Sequence, residues 1–206
     1  MSKQENDKFI YNNEKFELIS IESPRNFLNW ESFGLNPIEL STACWRGFVN
    51  TFSVIDKHLV LDEIYTNNQT RNENEEMVTI NIPEINGILP EIEEPDKDLV
   101  DEYKYYRIII YKKLNYRMNY NGSLVIVKDY LNDFESGPYA FLQISPFCYK
   151  NILKLTFSEG KFIKETCFSE YGEEIRNKRK TSKIKNKKSA YWEWPELDIF
   201  YEKNNL

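Results

Sequence analysis

The sequence contains few of the residues on which enzymes and metal sites usually depend. Its 206 residues include one histidine and three cysteines, and no two cysteines lie close together in the chain. A structural zinc site draws on several cysteines or histidines, commonly in a Cys-x-x-Cys pair, and no such pair occurs. The odd cysteine count also argues against a disulfide framework. We therefore expect no metal site, no cofactor and no disulfide.

Other features that the sequence lacks indicate the cellular compartment in which the protein acts. The seven glycines form neither a phosphate-binding loop nor a Gly-x-Ser-x-Gly elbow. No apolar run is long enough to cross a bilayer, and the opening MSKQENDKF lacks the apolar stretch of a signal peptide. Together with the unpaired cysteines, these features favour a reducing cytoplasm and predict no membrane partner.

Aromatic residues, by contrast, are abundant, with 14 Tyr, 13 Phe and 4 Trp. Aromatic residues favour strands and give the chain enough apolar surface to bury, which argues against disorder. Short stretches of alternating apolar and polar residues recur between turn signals, of which Asn121-Gly122 is the strongest. The pattern predicts one mostly β domain over residues 1–206, an antiparallel meander or sandwich of about eight to ten short strands with little helix.

Residues 41–48, STACWRGF, precede the clearest strand pattern and allow a catalytic hypothesis. A nucleophilic thiol needs a base that lowers its pKa, and His58 is the one histidine available to Cys44. Cys44 precedes the first strand of a predicted hairpin and His58 begins the second, so an antiparallel pair could bring the two together. The chain could then be a Cys–His enzyme.

The alternative, which we prefer, treats the same stretch as a structural turn at the start of the hairpin. Free cysteines are usually small buried residues, and a glycine permits an unusual backbone. On this interpretation Trp45 and Phe48 lie in or near the core, and Arg46 makes a hydrogen-bonded contact that is at least half buried. The structural residues are then Cys44, Trp45, Arg46, Gly47 and Phe48.

An acidic loop is predicted at about residues 67–102, because three prolines and a glycine interrupt its short apolar pieces. Residues 73–102 hold eleven acidic residues against one basic residue, Lys97, on a chain whose net charge is −6. The spacing lacks the pattern of a calcium loop, so two interpretations remain: a solvated loop, or a surface that attracts a basic partner. The candidate binding residues are Glu91, Glu93, Glu94, Asp96 and Asp98.

A basic loop is predicted at about residues 176–188, which contain eight basic residues and no acidic one. Such runs are usually solvated, but two tryptophans on alternate positions follow closely. Because an acidic chain repels nucleic acid, nucleic-acid binding would need this concentrated run. Its candidate contact residues are Arg179, Lys180, Lys183, Trp192 and Trp194.

Three stretches, YNNEKFELIS, STACWRGFVNTFSVIDKHLVLDEIY and YNGSLVIVKDYL, resemble a family of small, uncharacterised bacterial proteins. That family has an opening Tyr-x-Gly-x-x-Tyr strand, a Cys-Trp-Arg-Gly-aromatic turn and a following hairpin. Val127 stands where the family has proline. The resemblance covers about half of the chain and implies a β-rich cytosolic bacterial domain without a known reaction. The matching positions are Tyr11, Phe16, Cys44, Trp45, Arg46, Gly47, Phe48, Val54, Leu59, Leu61, Gly122, Leu124 and Ile126.

Three classes of function therefore compete. The first is a non-enzymatic inhibitor of another protein, such as an immunity protein or antitoxin, whose acidic surface occupies a basic site on its partner. The second is an interaction or scaffold subunit of a larger assembly, in phage defence or bound to nucleic acid, that makes contact through the basic run and its tryptophans. The third is the Cys44–His58 enzyme. We expect the first.

Overall fold

Twelve strands and one α-helix make up most of what the structure, a computed structural model, describes, namely residues 5–71, 77–79, 82–93, 107–131 and 145–181. The strands are β1 (Asp7–Tyr11), β2 (Glu14–Ile21), β3 (Phe48–Ile55), β4 (His58–Thr66), β5 (Gln69–Arg71), β6 (Met77–Thr79), β7 (Glu91–Glu93), β8 (Ile108–Tyr111), β9 (Tyr116–Arg117), β10 (Gly122–Tyr130), β11 (Tyr149–Ser158) and β12 (Lys161–Cys167). The helix is α1 (Ser169–Thr181), and short 3-10 helices span Pro24–Asn26, Glu31–Phe33 and Pro146–Cys148. The predicted mostly β fold is confirmed.

Tight two-residue turns build three of the hairpins. Asn12 and Asn13 join β1 to β2 with φ angles of 51° and 62°, and Asp56 and Lys57 join β3 to β4 with 49° and 63°. Positive φ at both central residues gives the turn a twist that matches the strands. Glu159 and Gly160 join β11 to β12 in the same way, with 51° and 74°.

The Asn121-Gly122 signal does not form the hairpin that the sequence suggested. β9 pairs with β4, whereas β10 pairs with β2 and β11, so the two strands that flank this dipeptide never meet. The Asn121 side chain instead accepts a 2.8 Å hydrogen bond from the backbone N–H of Glu159. Its polar group thus supports the β11–β12 turn.

Ten of the strands form one mixed sheet that curls until two of its strands meet. The order is β12-β11-β10-β2-β1-β3-β4-β8-β7, with β9 also beside β4, and β1 and β3 are parallel. β12 also pairs with β4, because Gly160 O accepts from Leu59 N and Lys57 O accepts from Phe162 N, both at 2.8 Å. The seven strands from β12 to β4 therefore form a closed ring.

Apolar side chains fill both the inside of this ring and part of its outside. The inner core takes alternate residues of the strands, including Phe9, Phe52 and Leu61, each with no exposed area. An outer core lies on β10 and β11, where α1 and the helix Pro146–Cys148 cover the sheet. Its buried members are Val125, Val127, Phe147, Cys148, Tyr149, Ile152 and Ile175.

The described parts of the two charged segments include strands and helix where loops were predicted. Within 67–102, β5 pairs with β6, and β7 pairs with β8 of the main sheet. The basic loop does not begin at Arg176, since α1 continues to Thr181. Arg176 is buried and donates from Nη1 to the carbonyls of Phe147 and Tyr149, at 3.2 and 2.7 Å. Residues 182–188 lie outside the described part.

No helix in the described ranges has the length and apolarity that crossing a bilayer would require.

Candidate functional site

Backbone hydrogen bonds hold the turn at residues 40–48, which we name the corner, in a fixed shape. Cys44 N donates to Ser41 O at 2.9 Å, and its own carbonyl accepts from Leu40 N at 3.1 Å and Gly47 N at 3.2 Å. The Cys44 thiol is 4 % exposed and points at Phe48 O, 3.5 Å from Sγ. The cysteine therefore packs within the corner.

The structure separates Cys44 from His58, contrary to the geometry that the catalytic hypothesis requires. Cys44 precedes the first residue of β3, while His58 pairs with Ile55 at the far end of that strand. Eight strand residues at about 3.3 Å each put roughly 20 Å between the two ends. The hairpin folds back at His58, so its antiparallel pairing keeps the histidine away from the thiol.

Electrostatics agree with an unreactive thiol at Cys44. Burial raises the pKa of this thiol, and the positive charge of Arg46 opposes the shift only in part. The His58 ring lies elsewhere, with Nδ1 3.0 Å from Asp56 O. A nucleophilic cysteine needs a lowered pKa and a nearby base, and this one has neither among the described residues.

Arg46 ties the corner to β1 through a buried acid. Its Nη1 lies 2.9 Å from Oδ2 of Asp7, and its Nη2 donates to the Glu5 carbonyl at 3.0 Å. Asp7 also accepts a 2.8 Å hydrogen bond from the backbone N–H of Asn50 on β3. Burial raises the pKa of Asp7, while Arg46 and the Asn50 hydrogen bond pull that pKa back down. The pair joins the corner, β1 and β3.

The two aromatic residues of the corner take different positions. Phe48 is half-buried, with its ring centroid 4.5 Å from that of Trp30. Trp45, expected in or near the core, is 45 % exposed. The inward positions of this turn are taken by Cys44 and Gly47, which leaves the neighbouring indole on the surface.

A buried amide pair on the segment after β4 holds the loop in front of the corner. Asn67 accepts from Ile38 N at 2.8 Å and donates to Ile38 O at 2.9 Å. Asn68 accepts from Asn36 N at 2.8 Å and donates to Gly34 O at 3.2 Å. Each side chain thus bonds both a backbone N–H and a backbone carbonyl of the loop, as a neighbouring strand would. Sequence analysis missed them, although polar residues directly after a strand, here TNNQ, are the available signal.

The acidic candidates occupy the end of the sheet. Within the described residues β7 is the last strand in the order, and Glu91, Ile92 and Glu93 are all exposed. Glu91 pairs with Lys112 at 2.6 Å. Burial raises the pKa of Tyr65 on β4, and the charge of Glu93 adds to the shift, so Glu93 lies near this phenol. Glu94, Asp96 and Asp98 are outside the described residues.

The basic candidates are not brought together by what the structure describes. Arg179 and Lys180 belong to the last turn of α1, and only their backbone is described. Lys183, Trp192 and Trp194 lie in residues 182–206, outside the described part. The contact surface suggested for these five residues stays a prediction.

Described residues line two open clefts on the surface. A groove of about 890 Å³ crosses the outside of the sheet, and its lysines and carboxylates are equal in number. A cleft of about 550 Å³ lies between residues 25–37 and the corner, and its walls include Trp30, Phe48 and two arginines. In the described ranges no group of three His, Cys, Asp or Glu residues converges in a way that could hold a metal ion.

No protein-family model, curated protein or solved structure matches this chain. The resemblance carried by the Cys-Trp-Arg-Gly-Phe corner therefore stays a prediction.

Proposed function

We propose that this protein binds and inhibits another protein, in the manner of an immunity protein or antitoxin, through the acidic strand β7. The observation that supports the proposal is the position of Glu91, Ile92 and Glu93. They are exposed on the strand that ends the described sheet order. An end strand offers backbone hydrogen-bonding groups to an incoming strand, and its side chains select the partner.

The side chains around β7 combine charge with apolar area. Ile92 is 47 % exposed and Leu89 is 71 % exposed, which is unusual for large apolar residues. Such residues can supply the desolvated contact that gives an interface its affinity, while the glutamates steer a basic partner toward it. Lys112 offsets Glu91, so Glu93 contributes most of the uncompensated charge on the strand itself.

The sequence around β7 strengthens the expected field. Residues 73–102 carry a net charge of −10, and a field of that sign accelerates association with a basic surface. Positive grooves are typical of enzymes that act on nucleic acid, because those enzymes must bind phosphates. A basic nuclease is therefore the partner class that fits best.

The test uses the products of the reading frames next to this gene, each purified and titrated at low and high salt. We expect one of them to bind, and the double variant Glu91→Gln/Glu93→Gln to weaken that binding about threefold to thirtyfold at low salt. The difference should shrink at high salt because screening already weakens the charged contacts.

The matched control removes two exposed carboxylates far from β7. Glu159→Gln/Glu174→Gln changes the β11–β12 turn and the outer helix by the same net charge. This variant should bind like the wild type. Equal affinity of the β7 variant and the control at both salt concentrations would refute the proposal, as would the absence of any binding neighbour product.

A further inference from the structure

We propose a second site: the cleft between residues 25–37 and the corner binds a small planar aromatic molecule that carries an anionic group. Its volume of about 550 Å³ falls within the range of small-molecule sites. The walls are unlike those of the larger groove on the sheet. They include two aromatic rings and two guanidinium groups, from Trp30, Phe48, Arg25 and Arg46.

Three of these groups pack against one another. The Trp30 and Phe48 rings lie 4.5 Å apart between centroids, at an interplanar angle of 47°. The guanidinium carbon of Arg46 is 4.7 Å from the Phe48 centroid. Aromatic and guanidinium planes of this kind are surfaces on which a flat ring can stack.

The surrounding structure holds the stack in place before any ligand arrives. Asp7 and the Glu5 carbonyl occupy the Nη atoms of Arg46, so its planar group cannot rotate freely. Asn68 fixes the backbone of Asn36 in the opposite wall through its 2.8 Å hydrogen bond. A preformed cleft binds more tightly because less side-chain freedom is lost on binding.

The groups that line the cleft include two guanidinium groups and one carboxylate. Arg46 is offset by the buried Asp7, but Arg25 is exposed and makes no ion pair with any residue in the described ranges. Glu31, also exposed, is the carboxylate that lines the same cleft. A cationic ligand would meet two guanidinium groups. A carboxylate or phosphate would pair with Arg25, whose fork matches either group.

The test measures binding of matched probes to the full chain by ligand-observed NMR and calorimetry. Indole-3-propionate and adenosine 5′-monophosphate carry the ring with a carboxylate or a phosphate; tryptamine and adenosine lack the anion. We expect at least one anionic probe to bind with a dissociation constant of about 1 mM or below, about three- to tenfold tighter than its uncharged or cationic counterpart. Which anionic probe binds better shows which combination of ring and anion the cleft prefers.

Two variants connect that binding to the cleft. Arg25→Gln should reduce the affinity of the anionic probe about three- to tenfold and should not weaken binding of its counterpart. Lys57→Gln on the β3–β4 turn removes the same charge elsewhere and should change neither affinity. Trp30→Leu, checked for folding by circular dichroism, should weaken both probes. The proposal is overturned if no anionic probe binds, if the anionic probe that binds is matched in affinity by its counterpart without the anion, or if Arg25→Gln binds like Lys57→Gln.

Discussion

Gly47→Ala tests how much the fold depends on the close approach of the corner to the loop in front of it. Gly47 has a φ of +75°, and a Cβ placed there would lie 2.1 Å from Ile38 O and 2.5 Å from Ile38 C. Contacts that short do not occur between such atoms, so the backbone at Ile38 would have to move. Its movement is opposed by the two hydrogen bonds to Asn67, at 2.8 and 2.9 Å.

The expected cost has two parts. A residue with a side chain in the left-handed region costs about 1–2 kcal/mol. Displacing Ile38 would break both Asn67 hydrogen bonds, at about 1 kcal/mol each. We therefore expect Gly47→Ala to lower the free energy of unfolding by about 3–4 kcal/mol, which for a chain of this size corresponds to a fall in Tm of roughly 6–16 °C.

Urea unfolding followed by circular dichroism measures this cost, and Gly87→Ala provides the control. Gly87 has a φ of +79°, but among the described residues its added Cβ would meet only Glu84 Oε1, at 3.9 Å. That variant should cost about 1–2 kcal/mol, from backbone strain alone. In an Asn67→Ala background, where the hydrogen bonds are already lost, Gly47→Ala should cost less than it does alone. The clash is refuted if the two glycine variants unfold at the same urea concentration.

Two further predictions concern the same corner. Arg46→Met leaves Asp7 buried without its counter-ion; burial already raises the pKa of Asp7, and losing Arg46 raises that pKa further. A raised carboxyl pKa means that the folded state binds the proton more tightly than the unfolded state does. The loss of unfolding free energy in this variant should therefore shrink as the pH falls from about 7 to 5. An equal loss at both pH values, measured by urea unfolding, would contradict the ion pair. A thiol reagent should modify exposed Cys167 quickly and buried Cys44 and Cys148 slowly, because the pKa of the Cys44 thiol is raised and it is 4 % exposed. Fast labelling of Cys44 in a Cys167→Ser variant would restore the catalytic hypothesis.

Local patterns predicted the strands better than their partners. The β3–β4 hairpin follows from apolar alternation around Asp56-Lys57, and the β11–β12 hairpin follows from Glu159-Gly160. The parallel pairing of β1 with β3, and the contact of β12 with β4, join residues far apart in the chain. No local pattern encodes such pairings, because they depend on which apolar faces remain uncovered. Asn121-Gly122 wrongly indicated a hairpin, because the strands on either side of it pair with other strands of the sheet.

The sequence also predicted only some of the residues of the candidate site. Composition identified the acidic segment, and the structure places Glu91 and Glu93 on an exposed strand. The buried Asp7 and the cleft around Trp30 had no signal in the sequence, because each depends on side chains that only the folded chain brings together. The exposure of Trp45 was also unpredictable, since a turn decides which of its side chains point inward.

The closure of the ring by β12 has a consequence for synthesis of the protein. The side chain of Glu22, directly after β2, accepts a hydrogen bond from the N–H of Ser123 on β10, 101 positions along the chain. β12 leaves the ribosome after every other strand of the ring. Until β12 pairs, β11 and β4 present unpaired edges that can associate with other nascent chains. Translation speed and chaperone capacity should therefore affect the yield of this protein more than that of a helical chain of equal length, because its ring closes only after the last of the seven ring strands has been made.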